Sequence, residues 1–66
     1  MTIELNGETR ELADGTTLAT LMEQLTGSTR GCAAVVDGEI APRSEWASRR
    51  LRTGQSVEII TAVQGG

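Results

Sequence analysis

Sixty-six residues make one small domain, near the size at which a chain without staples still buries enough surface to fold. One cysteine and no histidine exclude an internal disulfide and zinc sites of the usual Cys/His kind, and a single Trp without Phe or Tyr leaves the core to Leu, Ile, Val, Met and Ala. Nine Asp/Glu against six Arg, with no Lys, give a net charge of −3, which argues against a nucleic-acid or anionic-membrane partner and suits a basic protein surface or simple solubility.

Met1-Thr2-Ile3-Glu4-Leu5 alternates apolar and polar residues, the pattern of a half-buried strand. Asn6-Gly7 follows, a strong hairpin signal because both turn positions require positive φ. The return strand, Glu8 to Leu12, is mostly polar and reads as a sheet edge with one face in water. Asp14-Gly15-Thr16 breaks the pattern and offers caps, with Thr16 the expected N-cap of a helix over Thr17 to Thr26. Leu18, Leu21, Met22 and Leu25 fall at i, i+3, i+4 and i+7, so four large apolar side chains share one face, and Gly27 closes the helix. Ser28 to Gly31 is a loop. Cys32 to Val36 reads as a third strand, turning at Asp37-Gly38 into the short return Glu39-Ile40-Ala41, which Pro42 ends. Arg43 to Thr53 has no clean period. After the turn at Thr53-Gly54, the last strand begins near Val57. There is no charged-then-apolar leader and no long apolar run, so a cytoplasmic setting is expected.

A single amphipathic helix packs on only one layer, and the apolar last strand suits a central position. A hairpin, a crossover helix and a central last strand together predict an α+β fold, the ubiquitin-like β-grasp. Its mixed sheet would have four to five strands with one helix packed on one face. The domain is expected to span 1–61, with 62–66 a flexible C-terminal tail.

The tail ends in Gly65-Gly66, and glycine is only about 7% of average composition. Without Cβ atoms such an end can lie in a slot that excludes other residues, presenting an α-carboxylate to an enzyme that activates it; a frayed terminus is the plain alternative. Trp46 can close the open end of the core with its N–H near water, or anchor a partner. Arg49, Arg50 and Arg52 can form a docking patch or a solvated surface. Cys32 fits a buried strand cysteine, since no histidine exists to activate a thiol. The pairs Glu8/Glu11 and Glu39/Glu45 lie on or near turns and make no acid–base dyad. A body with no nucleophile beside a base is a poor enzyme candidate, so it is expected to carry chemistry done elsewhere.

Several stretches together resemble the ThiS family of sulfur carrier proteins along the whole chain. Ile3-Glu4-Leu5-Asn6-Gly7-Glu8 is similar to the family's first hairpin, and Asp14-Gly15-Thr16-Thr17-Leu18 to the start of its helix. Val36-Asp37-Gly38-Glu39 with Pro42-Arg43-Ser44-Glu45-Trp46 resembles its most characteristic internal stretch. Val57 through Gly66 is similar to its ending almost residue for residue. The resemblance implies a carrier and co-substrate rather than an enzyme. Gly66 would be adenylated and converted to a thiocarboxylate that supplies sulfur for the thiazole of thiamine. Gly65, Gln64, Val63 and Ala62 would enter the partner's active site, and Trp46 and Arg43 are candidate docking residues. No metal or cofactor would be held stably; ATP and Mg would be consumed by an E1-like adenylating partner of the ThiF type. A thiazole synthase of the ThiG type and a persulfide donor such as a cysteine desulfurase complete the expected partners, with no nucleic acid or membrane. The alternatives are a MoaD-like carrier for molybdopterin synthesis, a ubiquitin-like protein modifier, and an interaction module with an inert tail.

Overall fold

The computed structural model describes residues 1–27 and 31–61. Its elements are β1 (Thr2–Leu5), β2 (Glu8–Glu11), α1 (Leu18–Thr26), β3 (Cys32–Val36), β4 (Glu39–Ala41), a short 3-10 turn (Arg43–Glu45) and β5 (Ser56–Thr61). The five strands form one sheet in the order β2-β1-β5-β3-β4. The last strand is therefore central, parallel to β1 and antiparallel to β3, and the polar β2 is an edge. This is the β-grasp arrangement, with the upper strand number of the expected range.

Alternation along each strand decides which side chains meet the helix. Ile3 and Leu5 of β1, Ala34 and Val36 of β3, Ala41 of β4 and Val57 of β5 are buried together with Leu18, Leu21 and Met22 of α1. With no Phe or Tyr, this core depends on close fit among aliphatic chains, so each deleted methylene is felt. Leu25 departs from the expected four-residue stripe. It lies in the last helical turn, at the margin of the core, and is 39% exposed.

The helix starts one residue later than expected. Thr17, not Thr16, is the N-cap, its hydroxyl oxygen accepting from the Thr20 N–H at 3.2 Å. Thr16 is occupied otherwise, donating its hydroxyl to the Ala13 carbonyl and so closing the preceding turn. The first helical N–H groups lack partners within a helix. Here Leu18 N donates to the Arg49 carbonyl at 2.8 Å and Ala19 N to the Trp46 carbonyl at 3.0 Å. Leu51 N returns a bond to the Thr16 carbonyl at 3.0 Å. At the other end Gly27 adopts a left-handed conformation (φ 72°) and its N–H donates to the Glu23 carbonyl.

These bonds explain the segment from Arg43 to Thr53, which has no period because its backbone, rather than a repeating face, does the packing. It caps α1 and inserts two side chains, Trp46 and Leu51, into the core. The Trp46 ring is only 2% exposed, and its indole N–H donates at 2.8 Å to the Ala41 carbonyl inside the protein rather than facing water. Trp46→Phe keeps most of the apolar ring but strands that carbonyl, a loss expected to cost about 1–3 kcal/mol. Urea unfolding followed by far-ultraviolet circular dichroism measures it, and Trp46→Ala should cost more, about 3–5 kcal/mol.

Candidate functional site

Gly66, Gly65, Gln64, Val63 and Ala62 lie outside the described residues. What the structure places is β5, the strand that precedes them in sequence, and the surface around it. This strand is held on both sides. Toward β1, Glu4 N donates to the Gln55 carbonyl at 3.0 Å and Asn6 N to the Val57 carbonyl at 2.9 Å. Toward β3, Asp37 N donates to the Ser56 carbonyl at 2.7 Å, and Ala34, Ala33 and Cys32 face Ile59, Ile60 and Thr61 in register.

At each border of β5 the ladder meets a hairpin turn, and the chemistry there is the same. Asn6 and Asp37 have φ of 49° and 50°, as the first central position of these turns requires. That twist turns the residue's own carbonyl away from the ladder position next in line. A side-chain oxygen replaces it. Asn6 Oδ1 accepts from Ile59 N at 2.8 Å, and Asp37 Oδ1 accepts from Ser56 N at 2.9 Å. Asp37 Oδ2 also accepts from Gln55 Nε2 at 3.2 Å. Asn and Asp suit the position twice over, since both tolerate left-handed backbone and both carry an acceptor on a short arm.

The sheet face opposite the helix is open. Val35 pairs with Ile40 and Glu58, and Ala33 pairs with Ile60, so an apolar stripe runs from Ile40 across β3 to Ile60. Ile40 is 75% exposed and Ile60 55%. The rest of the face carries Thr2, Glu4, Thr9, Glu11, Ser56 and Glu58, and its strand residues include no basic side chain. Arg10 shares the opposite side with Ile3, its register partner. The adjacent pair Ile59-Ile60 was a legible signal for this face, because neighbouring strand residues point to opposite sides and only one can join a single-layer core.

Of the two candidate docking residues, Arg43 is exposed at the start of the 3-10 turn, whereas burial of Trp46 leaves no ring surface for a partner. Arg50 and Arg52 are exposed and Arg49 half-buried; in this segment the Arg49 carbonyl accepts from Leu18 N and the Arg52 N–H donates to Gln55 Oε1 at 2.8 Å. Cys32 is half-buried with its side chain against the core. The described residues include no pocket and no cluster of Cys, Asp and Glu suited to a metal. No helix among them is long and apolar enough to cross a membrane.

Comparison with known proteins agrees with this architecture. Two structures of a thiamine biosynthesis protein (ThiS) from Geobacter metallireducens superpose along the full chain. The crystal structure does so with a TM-score of 0.84 at 20% identity, covering all of both chains, and the solution structure with 0.80 at 22%, covering 88% of that chain. At these identities the likeness concerns the fold. Sequence relatives go further. The chain is 30% identical over 66 residues to the sulfur carrier protein ThiS of Escherichia coli, covering all of both chains. It is 37% identical over 62 residues to the sulfur carrier protein ThiS of Thermus thermophilus, covering 94% of this chain and 95% of that one. The ThiS family model matches residues 3–66, through the terminal Gly65-Gly66. The chain thus belongs to the ThiS family.

Proposed function

We propose that the chain is a sulfur carrier of thiamine biosynthesis whose working group is the α-carboxylate of Gly66. The observation that carries this reading is the family match reaching residue 66, behind a body that holds β5 as its central strand. A carboxylate is a poor electrophile. Its oxygen attacks the α-phosphorus of ATP in a separate activating enzyme, pyrophosphate leaves, and the acyl carbon gains AMP as a leaving group. The terminal sulfur of a persulfide then attacks that carbon and expels AMP. A thiol attacks the inner sulfur of the resulting acyl disulfide, a disulfide forms, and the thiocarboxylate is released. Dividing one hard displacement into easier ones is the usual gain of covalent activation. A thiazole-forming synthase takes the sulfur in turn.

On this reading ATP and magnesium belong to the activating partner, and this chain is its co-substrate. Gly65 and Gly66, lacking Cβ atoms, fit a narrow channel, while Ala62, Val63 and Gln64 span its mouth. Five extended residues reach about 16–18 Å, enough to leave the domain outside. Fixing them costs roughly 1–2 kcal/mol per residue in lost backbone freedom, so docking contacts must compensate. The open face of the sheet is suited to provide them. Its apolar stripe and its Glu4, Glu11 and Glu58 carboxylates complement an apolar surface with a basic rim. Arg43, exposed beyond β4, is a second docking candidate.

Two outcomes are expected. Incubation with ATP, the cognate activating enzyme and a sulfur donor exchanges one oxygen of the chain for sulfur, read as an intact-mass shift located at Gly66 by fragmentation. An unchanged mass with a demonstrably active enzyme refutes the carrier reading. The double substitution Ile40→Thr/Ile60→Thr removes apolar surface that no core contact needs, so each change should alter stability by less than about 0.5 kcal/mol. It should raise the activating enzyme's KM for the chain about tenfold or more, with kcat unaltered, as loss of apolar anchors does. An unchanged KM refutes docking through this face.

A further inference from the structure

We propose that Asn6, read from the sequence only as a turn residue, is a positioning residue for the C-terminal chemistry. It fixes Ile59 and so sets where β5 ends and the reactive tail begins. In a parallel ladder, the N–H of Val57 and then that of Ile59 would go to successive carbonyls of the β1 side, after the bonds from Glu4 N to Gln55 and from Asn6 N to Val57. The Asn6 carbonyl is the one due to receive Ile59, but the turn (φ 49°) points it elsewhere. Asn6 Oδ1 takes its place at 2.8 Å, bridging residues 53 apart in the chain. Among the described residues this is the last bond that the β1 side makes to β5. Beyond it, Ile60 and Thr61 are held through β3, by Ala33 and Cys32.

A strand end held along one side opens locally at low cost, and it opens from its terminus. Losing the Asn6 oxygen therefore moves the effective end of β5 back toward Val57 and lengthens the part of the chain that must be ordered when the tail is engaged. That added cost falls on binding, not on the chemical step at Gly66. Asp37 does the equivalent at the start of β5, but far from the tail, so it acts on the sheet without setting the tail's origin.

The activity arm of the test rests on the carrier reading; the exchange arm does not. Asn6→Gly retains the left-handed backbone and deletes the oxygen, while Asn6→Asp retains both. In Asn6→Gly, amide exchange at Ile59 should accelerate about tenfold or more, with Val57 unaffected, as expected for local opening. The activating enzyme's KM for the chain should rise about three- to tenfold, the range one side-chain hydrogen bond sets, with kcat unchanged. Asn6→Asp should restore both values. Should Asn6→Gly not fold, a synthetic chain with an ester in place of the Ile59 N–H removes the same bond from its other end and should raise KM equally. Unchanged Ile59 exchange overturns the anchor. Faster exchange with unchanged KM, or failure of Asn6→Asp to rescue, overturns the positioning role. A wild-type chain that gains no sulfur overturns the carrier reading and with it that role, while Ile59 exchange still decides the anchor by itself.

Discussion

The constraint on which this molecule depends is that its last strand must be its middle one. β5 lies between β1 and β3, and both neighbours end in tight turns just where β5 still needs partners. A backbone forced into left-handed geometry cannot keep its carbonyl in the ladder. Asn6 and Asp37 resolve the conflict by substituting side-chain oxygens, one at Ile59 and one at Ser56. An intramolecular hydrogen bond of this kind contributes about 0.5–1.5 kcal/mol net. The turn residues therefore complete the sheet they interrupt.

From that arrangement the division of labour follows. One face of the sheet meets α1 through Ile3, Leu5, Ala34, Val36 and Val57, and the segment after β4 seals the assembly by capping the helix start and burying Trp46. The other face is released from the core. It bears an apolar stripe from Ile40 to Ile60 beside acidic residues, and β5, which carries Ile60, runs to Thr61. On the proposed reading, chemistry at Gly66 and recognition on the sheet face are separate in sequence, with β5 belonging to the recognition face.

Most of the fold was legible in the sequence because local signals and the global fold agree. Asn6-Gly7 and Asp37-Gly38 gave both hairpins, the alternation at Ile3 and Leu5 gave β1, and the spacing of Leu18, Leu21 and Met22 gave the buried helix face. β3 and β4 fell on the expected residues. What the sequence did not disclose was anything carried by long-range backbone contact. Thr16 and Thr17 are equivalent as caps until the bond to Ala13 separates them. Trp46 could serve core or partner until the Ala41 carbonyl claimed its N–H. Arg43 to Thr53 has no period because it packs through carbonyls and N–H groups, which every residue possesses. Of the proposed site, Gly65-Gly66 stands out in the sequence by composition alone, whereas the Asn6 contact to Ile59 joins residues 53 apart and leaves no local pattern.

In the proposed function the α-carboxylate of Gly66, rather than any side chain, is the reacting group, and the folded body presents it. The most direct measurement compares the chain with one extended by a single leucine after Gly66, following both unfolding and sulfur incorporation by intact mass. Both chains should give the same unfolding curve, and the extended one should gain no sulfur. An extended chain that gains sulfur as fast as the original would contradict the proposed function.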